Sequence, residues 1–161
     1  MNMLHRAICM VAGALALVAV AASPGAAQVG GAPTGKPLVD PNTASAAELQ
    51  ALPNMTPALA KALVMHRPFM KVTDLNKFLL DQKLTQMQAT DFYRKAFVRI
   101  NLDTGTKEEF MLIPGVGARM SAEFAEYRPW KSWAQFDKEI GKYVGQEETD
   151  RFKPYMIMPS H

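Results

Sequence analysis

Apolar and polar positions follow one pattern twice along the chain. In the first copy Leu49 and Leu52 stand three residues apart behind Ser45-x-x-Glu48, and Pro53 closes the run. In the second, Phe110 and Ile113 stand behind Thr106-x-x-Glu109, and Pro114 closes it. The spacing predicts one apolar stripe on a short helix, with a capping box at its start and the proline at its end. After a tight turn, Leu59 and Leu63, matched by Met120 and Phe124, fall at i, i+4 on a second helix, which Pro68 or Pro129 stops. Two further helices are expected in each copy. Thr85-x-x-Gln88 and Ser132-x-x-Gln135 carry the same capping logic, and residues 76–80 and 133–140 are apolar enough to close over the hairpin.

The two copies align without a gap at an offset of 61, from Thr43 on Thr104 through Arg67, Pro68 and Phe69 on Arg128, Pro129 and Trp130. Further on the best match drifts to 59, which sets Thr90-Asp91 on Thr149-Asp150 and Phe97-Val98 on Met156-Ile157. Unit one then covers residues 41–100 and unit two 101–161. Helices this short are marginal alone. The expected fold is therefore all-α, with two units of short helices packed as one pseudo-twofold domain around a shared core.

What precedes the repeat has a different character. Residues 1–6 form a short basic region, 7–22 a run of sixteen apolar or small residues, and 23–27 a small-residue exit. This is the layout of a signal peptide, 1–27, with cleavage expected after Ala27. Sixteen residues fall short of the ~20 that a spanning helix needs. Residues 28–40 carry glycine and proline without apolar periodicity and read as a flexible linker, so folding is expected to begin near Pro41. The protein is expected to be periplasmic or otherwise exported, and soluble after cleavage.

Composition then removes several chemistries. Hydrophobic residues make up 48% and charged residues 20% of the chain, a balance that supports a buried core. The one cysteine, Cys9, lies in the leader, which leaves the mature part without a disulfide, a thiolate nucleophile or a thiolate metal site. His5 goes with the leader and His161 is the last residue, so His66 stands alone against any histidine metal site or triad. The reading is of a protein that is not an enzyme and has no metal, no cofactor and no small-molecule substrate.

The turn between the first two helices of unit two, Ile113-Pro114-Gly115-Val116-Gly117-Ala118-Arg119, is where binding chemistry concentrates. Gly115 can take the positive φ of a reversal, Val116 can plug back into the core, and Gly117 has no Cβ to hold a ligand off. The amides of Gly117, Ala118 and Arg119 then lie at a helix N-terminus, suited to one phosphate, with Arg119 able to add a charged contact. Unit one has Pro53-Asn54-Met55-Thr56-Pro57 there. Asn54 can still turn left-handed, but the Thr56 side chain crowds the site and Pro57 has no amide proton.

The segment Asn42-Thr43-Ala44-Ser45-x-x-Glu48-Leu49-x-x-Leu52-Pro53, with Ile113-Pro114-Gly115-Val116-Gly117, resembles the tandem helix-hairpin-helix proteins of the exported competence DNA-receptor (ComEA-like) family. The resemblance spans nearly all of the chain after the leader. It implies two helix-hairpin-helix units and a hairpin whose amides grip the duplex backbone without reading bases, a role that falls on Gly115, Gly117, Ala118 and Arg119. Unit one is also similar to the extrinsic twelve-kilodalton lumenal subunit family of photosystem II, through Pro53-x-x-x-Pro57-x-Leu59-Ala60-Lys61, Pro68-Phe69 and Val72-x-Asp74-Leu75. That likeness implies a helix-hairpin-helix fold used for protein contacts.

Charge divides the two implications. After the leader the chain has 18 − 1 = 17 basic and 15 acidic residues, and division at residue 100 leaves +4 in unit one and −2 in unit two. Duplex binding is dominated by phosphate neutralisation, and the better hairpin sits in the acidic half, with Glu123 and Glu126 farther along its second helix. The expected partner is double-stranded DNA, bound non-specifically, as in DNA uptake. The alternative is an adaptor docking on a membrane protein complex. The remaining residues read as packing: His66 on the Leu59/Leu63 stripe, Trp130 and Trp133 in the core, methionines such as Met111 and Met120 as gap fillers, and Asp137, Glu139, Glu147 and Glu148 on solvated helix faces.

Overall fold

The computed structural model describes residues 37–160; the expected leader and residues 28–36 of the expected linker lie outside the described residues. The fold is all-α. In unit one α1 (Ala46–Gln50) and α2 (Pro57–His66) form the hairpin, and α3 (Val72–Asp81) and α4 (Gln86–Tyr93) follow it. A two-residue strand, β1 (Ile100–Asn101), leads into α5 (Lys107–Met111), α6 (Ala118–Glu126), α7 (Trp133–Val144) and α8 (Gln146–Phe152). A single 3-10 turn, Lys153–Tyr155, then delivers β2 (Met156–Ile157) alongside β1 in parallel, with Ile100 opposite Met156.

Capping starts the helices where the tetrads stand. The Ser45 hydroxyl accepts the Glu48 amide at 3.2 Å while the Glu48 carboxylate accepts the Ser45 amide at 2.8 Å. Thr106 and Glu109 repeat this at 3.2 and 2.7 Å, and Thr85 with Gln88 at 3.2 and 2.9 Å. Each such cap contributes about 1 kcal/mol, which matters for five-residue helices that cannot persist alone.

The repeat extends to the polar framework. Arg67 donates from Nε to the Pro41 carbonyl (2.6 Å) and from Nη2 to that of Ala44 (2.5 Å), and Arg128 makes the same pair to Leu102 and Gly105. Both arginines precede a cis proline. Asn42 clasps the backbone of Phe69 from both sides, and the carboxylate of Asp103 accepts the Trp130 amide at 2.7 Å. Each arginine thus ties the end of the second hairpin helix to the segment in front of the first.

Two features of the sequence reading change. The late offset is 60 rather than 59, since α4 begins at Gln86 and α8 at Gln146. α7 is two residues longer than α3, and the four-residue connection 82–85 becomes the single residue Gly145, held at φ +80°. The corrected register pairs Tyr93 with Lys153 and, at the earlier offset of 61, Asn76 with Asp137. Where Tyr93 donates to Asn76 Oδ1 at 2.9 Å, Lys153 is buried against Asp137 at 2.8 Å and Asp150 at 2.6 Å. A neutral link between two helices in unit one is an ionic one in unit two. The second change concerns the linker, whose last residues are already folded: the Val39 amide donates to Lys95 (2.9 Å) and its carbonyl accepts the Phe97 amide (3.0 Å).

The buried side chains form one continuous cluster drawn from both units, and Phe97 meets Tyr155 edge-on at 5.0 Å across the join. Trp130 is fully buried, with its indole N–H on the Phe124 carbonyl at 2.8 Å. His66 is exposed but stacks on Phe78 at 4.8 Å. The methionines do not all fill gaps: Met111 is exposed, as are Met65, Met70 and Met87, while Met120 packs against the core. Met111 falls outside the stripe because it stands one residue, about 100° of helical rotation, beyond the buried Phe110.

Candidate functional site

The two hairpin turns share a backbone course and differ at the helix they feed. Asn54 and Gly115 sit at the same repeat position with φ +61° and +86°, the left-handed conformation that reverses the chain. Val116 is buried beneath the unit-two turn, while Gly115, Gly117, Ala118 and Arg119 are all exposed. In unit one the Thr56 hydroxyl caps α2 by accepting the Leu59 amide at 3.1 Å, and Pro57 supplies no donor at the first helical position. In unit two the cap residue is Gly117, with no side chain to accept from the first turn. A Cβ built there would meet nothing within 4 Å. The end of α6 is therefore open to an incoming oxygen where the end of α2 is closed by its own side chain.

Side chains of α6 and α7 shape the charge around this opening. The Arg119 guanidinium lies over the Tyr143 ring of α7, 5.5 Å from its centroid. Tyr143 also exchanges a hydrogen bond with Tyr127 at 3.0 Å, and this bond, with desolvation and the nearby Glu123 carboxylate, pushes its phenol up to about 12. Glu123 is thus near Tyr143, on the side of α6 that meets α7. Lys142 sits over the Tyr127 ring at 4.5 Å and pairs with Glu139 at 2.9 Å; its contacts with Tyr127 and Glu139 raise its ammonium above the ordinary lysine range. The outer face of α6 and α7 is thus a cation-aromatic cluster that carries Arg119 at its edge.

The residue that sequence reasoning missed is Arg151, on α8. Its Nη1 donates to the Pro114 carbonyl at 2.6 Å, at the heart of the turn. A Cβ on Gly115 would lie 2.7 Å from its Nη2, so the glycine both turns the chain and lets the guanidinium approach. The remaining side of the fork is held by Glu148, which accepts from Nε at 3.0 Å and Nη2 at 2.6 Å. These bonds hold the Glu148 carboxyl below its usual range. Glu148 and Asp137, expected on solvated faces, are therefore ion-paired, as is Glu139; Glu147 is exposed. In unit one the equivalent support of the turn is neutral, with Asn54 Nδ2 on the Gln88 carbonyl at 3.2 Å.

Among the described residues no group of three or more His, Cys, Asp or Glu side chains is placed to hold a metal ion, and no helix is long and apolar enough to cross a membrane.

Residues 35–89, which hold α1 through the first half of α4, match the family model of the helix-hairpin-helix motif. The match falls on the hairpin that is closed, not on the one that is open. No curated protein and no solved structure matches the chain.

Proposed function

We propose that this chain is an exported, non-enzymatic protein that grips the backbone of double-stranded DNA without reading its sequence, through the hairpin between α5 and α6. The observation that carries the reading is the contrast between the two hairpins: one left-handed turn feeds a helix closed by Thr56 and Pro57, the other a helix left open at Gly117. An open helix end in front of an exposed, glycine-flanked turn offers several amide donors to one phosphate oxygen. The helix-hairpin-helix match over residues 35–89 supports it, since that motif is common in proteins that bind DNA non-specifically. In this reading Gly115 sets the turn, Gly117 and Ala118 donate their amides, and Arg119 adds charge beside them. The second unit is a second helix-hairpin-helix, and the role is that of a ComEA-like receptor in DNA uptake. Export rests on the signal-peptide layout of residues 1–27, and a mature N-terminus at Gln28 in protein recovered from the envelope checks it.

A second reading keeps the fold and assigns it to docking on a membrane protein complex. The observation in its favour is that unit one, which carries the family match, has its hairpin closed by its own side chain. A salt titration separates the two readings. Fluorescence anisotropy of residues 28–161 with a labelled duplex of arbitrary sequence should give an affinity that falls linearly in log K against log salt, by about 0.9 per phosphate neutralised. No binding at ~50 mM salt, where backbone contacts are least screened, ends the DNA reading in favour of docking.

A further inference from the structure

We propose that Arg151 is a further phosphate-contacting residue of the α5–α6 hairpin, and that Glu148 sets the hairpin's affinity by competing with the phosphate for it. The proposal deepens the DNA reading above and rests on it. Arg151 reaches the turn from α8, thirty-seven residues farther along the chain, and its guanidinium is fixed there by the Pro114 carbonyl on one side and Glu148 on the other. A guanidinium has five N–H donors in a planar fork. The carboxylate takes the edge made by Nε and Nη2, and Pro114 takes one donor of Nη1. One donor each on Nη1 and Nη2 is left over by these contacts, at the Nη end of a side chain that is 36% exposed. That end lies beside Gly115, where a missing Cβ gives it room.

The charge at this point is close to neutral while the pair is intact. A phosphate arriving at the Gly117 amides meets Arg151 already compensated and the Glu148 carboxylate beside it. The carboxylate repels the phosphate and also holds the cation that would attract it. Glu148 is half-exposed and hydrates when displaced, so the exchange of one anion for another on Arg151 needs no rearrangement of the backbone. Low net charge and an acidic unit two then limit DNA binding through one identifiable carboxylate as well as through the overall field.

The test is Glu148→Gln, compared with Glu147→Gln, in residues 28–161 titrated with the same labelled duplex across ~50–200 mM salt. Both variants change net charge equally, but only Glu148 touches Arg151; Glu147 is exposed. Glu148→Gln should tighten binding by about three- to tenfold at ~50 mM salt and steepen the log K against log salt slope by about 0.9, one phosphate. Glu147→Gln should leave the slope unchanged. Placing Arg151→Gln or Arg151→Lys beneath Glu148→Gln separates the effects further: the glutamine should erase the gain, and the lysine should keep the slope with part of the affinity. Unchanged melting temperatures exclude misfolding as the cause. If wild type binds and Glu148→Gln matches it, or gains as much with Arg151→Gln, the proposal is overturned and the DNA reading stands. Equal gains from Glu147→Gln and Glu148→Gln overturn it too, in favour of the overall field. If wild type does not bind at ~50 mM salt, the DNA reading itself fails and takes the proposal with it.

Discussion

Replacing Gly117 by threonine gives the open hairpin the cap residue of the closed one, and under the proposed DNA reading its effects on stability and on duplex binding have opposite signs. Gly117 has φ −100° and ψ 176°, and Thr56, its counterpart, has φ −99° and ψ 161°, so threonine enters without backbone strain. No atom lies within 4 Å of the new Cβ. The hydroxyl should accept the amide three residues on, Met120, as Thr56 accepts that of Leu59 at 3.1 Å. At a cap position threonine gains only a few tenths of a kcal/mol over glycine. Loss of glycine freedom in the unfolded chain adds about 0.4–1 kcal/mol. A net gain of about 0.5–1 kcal/mol raises the melting temperature of a domain this size by roughly 2–4 °C. Meanwhile the hydroxyl and methyl occupy the space in front of the first-turn amides. Duplex affinity should then fall by about tenfold at ~50 mM salt, with the salt slope reduced by about 0.9. Gly117→Ala separates the causes, because it adds the Cβ and the loss of glycine freedom without the capping hydroxyl, so its melting temperature should stay below that of the threonine variant. Thermal unfolding by circular dichroism and anisotropy with a labelled duplex read both quantities. A variant that melts higher and binds DNA as wild type does would remove the hairpin amides from the site. A lower melting temperature would show that the space around Gly117 is needed by the fold.

Two further outcomes follow from the packing. The buried Lys153 is pulled down by desolvation, but its bonds to Asp137 and Asp150 more than offset this and its ammonium is raised, while the Asp150 carboxyl is lowered by the same bond. The Asp150 contribution is therefore present above the unfolded carboxylate value and lost as pH falls through the folded one, and that of Lys153 is present below the unfolded lysine value and lost as pH rises through its folded one. Lys153→Met should cost about 1–3 kcal/mol at pH 7, discounted from the fully buried case because both carboxylates reach water, and should flatten the acid limb of a melting-temperature profile; an unaltered acid limb sinks this assignment. Because the core is one cluster and β2 pairs with Ile100 and Asn101, residues 101–161 expressed alone should melt without a cooperative transition, and a sharp calorimetric peak matching that of residues 28–161 would contradict the shared core.

What the sequence made legible was local. Ser45 with Glu48, Thr106 with Glu109 and Thr85 with Gln88 each act within one turn of chain, so their spacing alone identified the starts of α1, α5 and α4. The positive φ at Gly115 and Asn54 was equally readable, because few residues tolerate it. The features that escaped depend on distant partners. Arg151 stands three residues from Glu148 and reads as a surface ion pair; nothing near it in sequence names the Pro114 carbonyl. Lys153 was hidden by the register, since an offset of 59 sets it on Arg94, another basic residue, instead of on buried Tyr93. Val39 pairs through its backbone alone, and two residues of backbone pairing leave no alternation of side chains to detect.

That pairing of Val39 has a consequence for how such a chain can grow or shrink. Val39 lies beside Ala96, and Ile100 lies beside Met156, so the chain comes into each unit next to where it leaves it. Each unit is a loop closed at its neck. Cutting out the segment between two necks, or inserting another copy of it, leaves the flanking ends already adjacent. A gene encoding this architecture can therefore gain or lose a unit in one recombination event without having to bridge a gap in space. What would limit such a change is the face each unit buries against its neighbour, where Phe97 meets Tyr155, because a unit added or removed there must supply or cover that aromatic edge.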